Sequence, residues 1–124
     1  MIIKNTKLKD VKIIIPEPNS DQRGFFQRLF CKKVFKKKGL EKNIVQINNS
    51  FSKNKGTTRG LHYQTGDSKE CKIIRCLKGS IVNIVVDMRK NSKNYLKYTS
   101  IKLTGKNRYM SYIPRGFANG LQTL

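Results

Sequence analysis

A chain of 124 residues has room for one domain with a single core and not for two of ordinary size. Its 27 Lys and Arg against 7 Asp and Glu give a formal charge of +20, which turns the surface toward polyanions and anionic ligands. No run approaches the ~20 apolar residues of a membrane span, and Cys31, Cys71 and Cys76 are odd in number with no CxxC pair. The expectation is a cytoplasmic protein with reduced thiols and no cysteine metal site.

Short runs rich in Ile, Val, Tyr and Phe recur between Gly, Asn and Lys clusters, the pattern of an all-β domain. Val11 to Ile15 is the first predicted strand, stopped by Pro16 and Pro18. Its Ile-Ile-Ile run is more apolar than a solvent-facing edge should be, so it is expected to help bury a surface between two copies of the chain. The stretch of residues 25–38 differs: Phe26, Leu29, Phe30, Val34 and Phe35 suit a short helix, with Gly39 as its stop. Ile44 to Asn48 is the second predicted strand and Thr58 to Gln64 the third. Cys71 to Leu77 and Ser80 to Met88 are expected to form a hairpin across Lys78-Gly79, where glycine can take positive φ. Tyr98 to Leu103 and Tyr109 to Ile113 are expected to pair in the same way across Thr104 to Asn107. Many strands joined by glycine-containing turns in a small domain imply a β-sandwich or small barrel of the jelly-roll type.

The segment Arg59-Gly60-Leu61-His62-Tyr63-Gln64 contains the only histidine. Plain strand alternation puts Arg59, Leu61 and Tyr63 on one face and Gly60, His62 and Gln64 on the other. A lone histidine is commonly a structural hydrogen-bonding residue. Its company argues otherwise, because Lys72 lies in the next predicted strand and Arg23, Gln46, Asn48 and Arg59 are polar groups in otherwise apolar elements. Polar side chains converging at a barrel mouth are the usual form of a small-ligand site.

The ordered set Asp21-Gln22-Arg23-Gly24-Phe25-Phe26, Gln46-Ile47-Asn48, Lys55 to Gln64, Lys72 to Cys76, Val86-Asp87-Met88-Arg89 and Ile113-Pro114-Arg115-Gly116-Phe117 resembles the dTDP-4-dehydrorhamnose 3,5-epimerase family over nearly the whole chain. The resemblance implies a cupin-like jelly roll, usually a homodimer, that acts without metal or nicotinamide on a dTDP-linked 4-keto-6-deoxy sugar in deoxysugar and surface-polysaccharide biosynthesis. It implies that His62 is the general base for the proton α to the C4 ketone and that Lys72 stabilises the enolate oxygen. Arg23 and Arg59 would hold the pyrophosphate or sugar, since a guanidinium matches two oxygens at once. Gln46, Asn48 and Asn119 would be further substrate ligands.

The chain departs from the family pattern at several points. Asn119 stands where the family usually has histidine, Asn83 where it usually has an acid, and Arg28 where it usually has glutamate. The family's general-acid tyrosine and the aspartate that orients its base fall beyond Leu124, so the resemblance implies a domain without the family's C-terminal segment. Tyr63, Tyr109 and Tyr112 are available phenols, and spacing nominates none of them. Two other readings stand beside the leading one. The chain is a non-catalytic or single-carbon relative that binds a nucleotide sugar, or a basic nucleic-acid-binding β-domain that uses Lys and aromatic residues such as those of Asn94 to Thr99.

Overall fold

The structure is a computed structural model that describes residues 1–124. Ten strands and one short helix build it: β1 (Ile2–Asn5), β2 (Lys12–Ile15), β3 (Asn19–Asp21), β4 (Gly24–Phe26), α1 (Lys32–Lys37), β5 (Thr58–His62), β6 (Lys72–Arg75), β7 (Ser80–Asp87), β8 (Tyr98–Thr104), β9 (Met110–Ile113) and β10 (Phe117–Thr123). Two four-stranded antiparallel sheets, ordered β1-β2-β9-β6 and β5-β10-β7-β8, face each other, and β3-β4 is a separate hairpin. The all-β fold with one short helix is as expected.

Alternation along the strands sorts the apolar residues into two cores. Val11, Cys76, Val85, Ile101, Leu103, Ile113 and Phe117 fill the space between the sheets with Leu8. Ile14, Met110 and Tyr112 point the other way from the first sheet and meet Phe35 of α1 and Leu40. The helix is thus held on the outer face of that sheet by one fully buried phenylalanine. It stops where expected: Gly39 takes φ +68, its N–H donates to Lys36 O at 3.2 Å, and the Leu40 N–H donates to Phe35 O at 3.0 Å. This is the paired-bond helix terminus whose left-handed residue favours glycine, with Leu40 packing back on Phe35.

Four sequence expectations are corrected. The helix occupies only Lys32–Lys37, and Phe25 and Phe26 belong to β4 instead. The expected hairpins across Lys78-Gly79 and Thr104 to Asn107 are not hairpins, because β6 pairs with β9 while β7 pairs with β8 and β10. In both places the turn is present but carries the chain from one sheet to the other. Local turn chemistry is the same for a hairpin and for a sandwich corner, and burial of Cys76 between the sheets favours the corner here. Ile44 to Asn48 forms no strand within the chain. Finally, the Val11 to Ile15 run lies inside its own subunit: β2 is paired on both sides, by β1 and β9, and Val11 and Ile14 are fully buried. Its apolar residues serve the two cores and are not free to bury a second copy.

Candidate active site

The interior strand β10 of the second sheet, paired with β5 and β7, decides where the motif around His62 points. Residues directly opposite in an antiparallel ladder share a face. Asn119 lies opposite both His62 of β5 and Val85 of β7, and Leu121 lies opposite both Arg59 and Asn83. Val85 and Asn83 are fully buried, Val85 in the core between the sheets, so the positions of His62 and Arg59 are on the inner face. Plain alternation had put these two on opposite faces. The correction comes from a register shift between Asn119 and Leu121, where β5 carries one residue more than β10.

Lys72 reaches the same end of the sandwich from the first sheet. It is opposite Ile113, an inter-sheet core residue, so it too is on the inner face. The connection Pro114 to Gly116 joins this end of β9 to the start of β10, two residues before Asn119. The Lys72 ammonium is half-buried and pairs with Glu70 at 2.9 Å. A histidine, a lysine and an arginine therefore occupy inner-face register positions on the two facing sheets. Asn119 completes the group: it is 8% exposed, and its Oδ1 has no hydrogen-bond partner. A buried acceptor left unsatisfied is rare and suits a position where a ligand supplies the donor.

The remaining expected residues are not gathered there by contacts within the chain. Arg23 is in the β3-β4 hairpin and pairs with Asp21 at 2.7 Å. Gln46 donates to Asn48 at 3.1 Å on an exposed segment. That segment touches the site further along, since Arg59 donates from Nε to Ser52 Oγ at 3.2 Å and from Nη2 to Phe51 O at 3.1 Å. Asn83 is a tie between elements: it donates to Gly120 O and accepts from Ser111 Oγ, each at 2.8 Å. The acid usual at this position would face the Gly120 carbonyl without a proton to donate unless it stayed protonated.

Two of the three phenols are removed from the site by geometry. Tyr112 is on the outer face, where its oxygen accepts the Glu41 N–H at 3.1 Å. Burial, and then the Cys71 thiol beside it, push its pKa up to about 12. Tyr109 packs on the inter-sheet core but sits four residues from Ile113, about 13 Å along the strand from the Lys72 level. Tyr63 follows His62 directly. No three His, Cys, Asp or Glu side chains come together as a metal cluster.

The model of the dTDP-4-dehydrorhamnose 3,5-epimerase family matches residues 5–124. The chain belongs to this family. It is 40% identical over 119 residues to the dTDP-4-dehydrorhamnose 3,5-epimerase of Methanothermobacter thermautotrophicus, covering 96% of this chain and 63% of that protein. Among solved structures it superposes on the enzyme of the same name from Elizabethkingia anophelis with a TM-score of 0.93 and 38% identity, covering 100% of this chain and 68% of that one. It also superposes on dTDP-6-deoxy-D-glucose-3,5-epimerase of Legionella pneumophila in complex with dTDP-4-keto-L-rhamnose, with a TM-score of 0.92, 36% identity, and 99% and 65% covered. The chain thus spans less than two thirds of the Methanothermobacter relative. The fold is the cupin-like jelly roll of this epimerase family.

The sequence pattern did not single out Gly60 and Gly120, whose backbones approach closely between β5 and β10. Their signal was available, since glycine inside a strand pattern marks a bulge or a close backbone approach. Asn119-Gly120 instead resembles a turn dipeptide, and β10 was not expected at all.

Proposed function

We propose that this protein is a nucleotide-sugar epimerase acting on a dTDP-linked 4-keto-6-deoxy sugar, in the cytoplasm and as a step of deoxysugar biosynthesis for surface polysaccharides. The observation that carries the reading is the common inner face of His62, Arg59 and Asn119, at the end where Lys72 enters from the facing sheet. His62 takes the proton from the carbon α to the ketone, and the electron pair moves onto the ketone oxygen. Lys72 stabilises the enolate oxygen, where negative charge develops. Arg59 and Arg23 bind the diphosphate or sugar, Gln46 and Asn48 contact the substrate, and Asn119 Oδ1 accepts from a substrate donor. A proton delivered from solvent to the opposite face then collapses the enolate and inverts the carbon, and His62 releases the abstracted proton to solvent. The Legionella relative, bound to a dTDP-linked keto sugar, supports this substrate class.

The test is to incubate the protein with dTDP-4-keto-6-deoxyglucose in deuterated water and follow C3 and C5 separately by NMR. Deuterium at either carbon is expected. Micromolar binding without exchange would leave a binding protein in place of an enzyme, and absence of binding would sink the substrate assignment.

A homodimer belongs to the same proposal, on a surface other than the one expected from sequence. Val45, Ile47 and Phe51 are 95%, 87% and 83% exposed, while Gln46, Asn48 and Ser50 alternate with them. This is the period of a strand, yet no backbone hydrogen bond within the chain engages Ile44 to Asn48. A strand pattern without a sheet finds its partner on another chain, and pairing with a second copy covers these side chains. Light scattering should give twice the 14.3 kDa chain mass, and Val45→Asp with Ile47→Asp should return it to the single mass. A wild-type monomer at micromolar concentration would refute this arrangement.

A further inference from the structure

We propose that the backbone contact between Gly60 and Gly120 sets the base and the anion-binding arginine on one face of the sheet, which makes both glycines positioning residues of the site. The proposal rests on the roles given above to His62 and Arg59. Those two residues are three apart, and in a regular strand such residues point to opposite faces. Between the pairs Asn119–His62 and Leu121–Arg59, β10 advances two residues and β5 three. One extra residue on one strand is a β-bulge, a device that re-aims side chains.

The bulge depends on two missing side chains. Gly60 takes φ +108, and a Cβ there would lie 2.6 Å from Gly120 Cα and 2.7 Å from Asn119 O. A Cβ on Gly120 would lie 2.8 Å from Arg59 O. These obstacles are backbone atoms, which cannot swing aside as the tip of a flexible side chain can. Any side chain at either position therefore pushes β5 off β10 at the point where the extra residue is absorbed. The relaxed strand regains plain alternation, and either His62 or Arg59 turns out of the gap. Asn119, whose buried Oδ1 waits without a partner, sits opposite His62 at the edge of the bulge.

The experiment compares Gly60→Ala and Gly120→Ala with Gly79→Ala, a control that also has positive φ, +80, but nothing within 4 Å of its Cβ. Three readouts are taken: nuclear Overhauser contacts between His62 and Asn119 and between Arg59 and Leu121, the dissociation constant for dTDP, and deuterium exchange into substrate. Both contacts are expected in the wild type and the control. In each site variant at least one contact disappears: where it is Arg59–Leu121, dTDP binds more weakly by about 10-fold or more, and where it is His62–Asn119, exchange falls by ~10²-fold or more, the usual effect of a reacting group displaced by an ångström. A folded Gly60→Ala protein that keeps both contacts and normal exchange overturns the proposal. If the alanine variants do not fold, the wild-type contacts decide, because a ladder without the shift would show Arg59 away from Leu121. A wild type that shows both contacts yet neither binds nor exchanges would refute the function while leaving the bulge intact.

Discussion

His62→Asn is expected to lose deuterium exchange at C5 and C3 by roughly 10²–10⁴-fold, the usual contribution of a positioned general base. His62 is the only histidine in the chain, and Asn119 and Lys72, the polar groups named beside it on the inner face, are poor substitutes as a base. Asn119, its cross-strand neighbour, is a neutral amide, and Lys72 is already paired with Glu70. Asparagine keeps a hydrogen-bonding group of similar reach but cannot accept the proton. The loss should therefore fall on turnover and spare binding. Affinity for dTDP, measured by calorimetry, is expected to change by less than about threefold, since Arg59 keeps its bonds to Ser52 and Phe51. Near-parental exchange in this variant would remove His62 from the mechanism. Lost exchange with equally lost dTDP affinity would make His62 a binding residue instead.

The parts of the fold that the sequence disclosed are those whose causes are local. The strand runs of β5 to β9 and the Gly39 helix stop follow from side-chain pattern and backbone preference, and both occur as expected. What it hid depends on distant partners. The run Tyr98 to Leu103 identifies a strand, yet nothing in it says that β8 lies beside β7 and not β9. Ile44 to Asn48 has the composition and alternation of a strand, and within one chain it has no neighbour to pair with. The Ile-Ile-Ile run of β2 implies an interface only for a strand at a sheet edge; the ladder between β1 and β9 makes it an interior strand with both faces covered. The site shows the same division. His62, Arg59 and Lys72 were named from their motifs, but their common face arises from a bulge created by two glycines 60 positions apart in the chain. No local period encodes that contact.

Arg89→Met is expected to destabilise the fold by about 2–3 kcal/mol at neutral pH, less than the ~3–5 kcal/mol of stripping a fully buried pair because the Arg89 side chain is 39% exposed. Asp87 is fully buried at the end of β7. The Arg89 guanidinium holds it from Nε at 2.9 Å and Nη2 at 2.7 Å, and Ser92 Oγ donates to it at 2.7 Å. The same arginine reaches Asp10 at 2.7 Å and lies over the Phe117 ring at 4.5 Å, so it ties the N-terminal segment to the start of β10. Its hydrogen bonds are the main reason that the Asp87 carboxyl is lowered to about 2. Because the folded-state pKa lies below the unfolded value near 3.9, this stabilisation is complete above the unfolded pKa and is lost as pH falls through about 2. Methionine keeps the aliphatic packing and removes the charge, leaving Asp87 with the Ser92 hydroxyl and one backbone N–H. The variant's carboxyl then titrates at higher pH, and protonation relieves the buried charge. Urea unfolding at a series of pH values should show a gap between wild type and variant that is widest near pH 7 and narrows toward pH 3. A gap that stayed constant over that range would mean that Arg89 acts through packing on Phe117 alone. A gap below about 1 kcal/mol at pH 7 would show that water already solvates Asp87 and that the pair does not hold this corner of the sandwich.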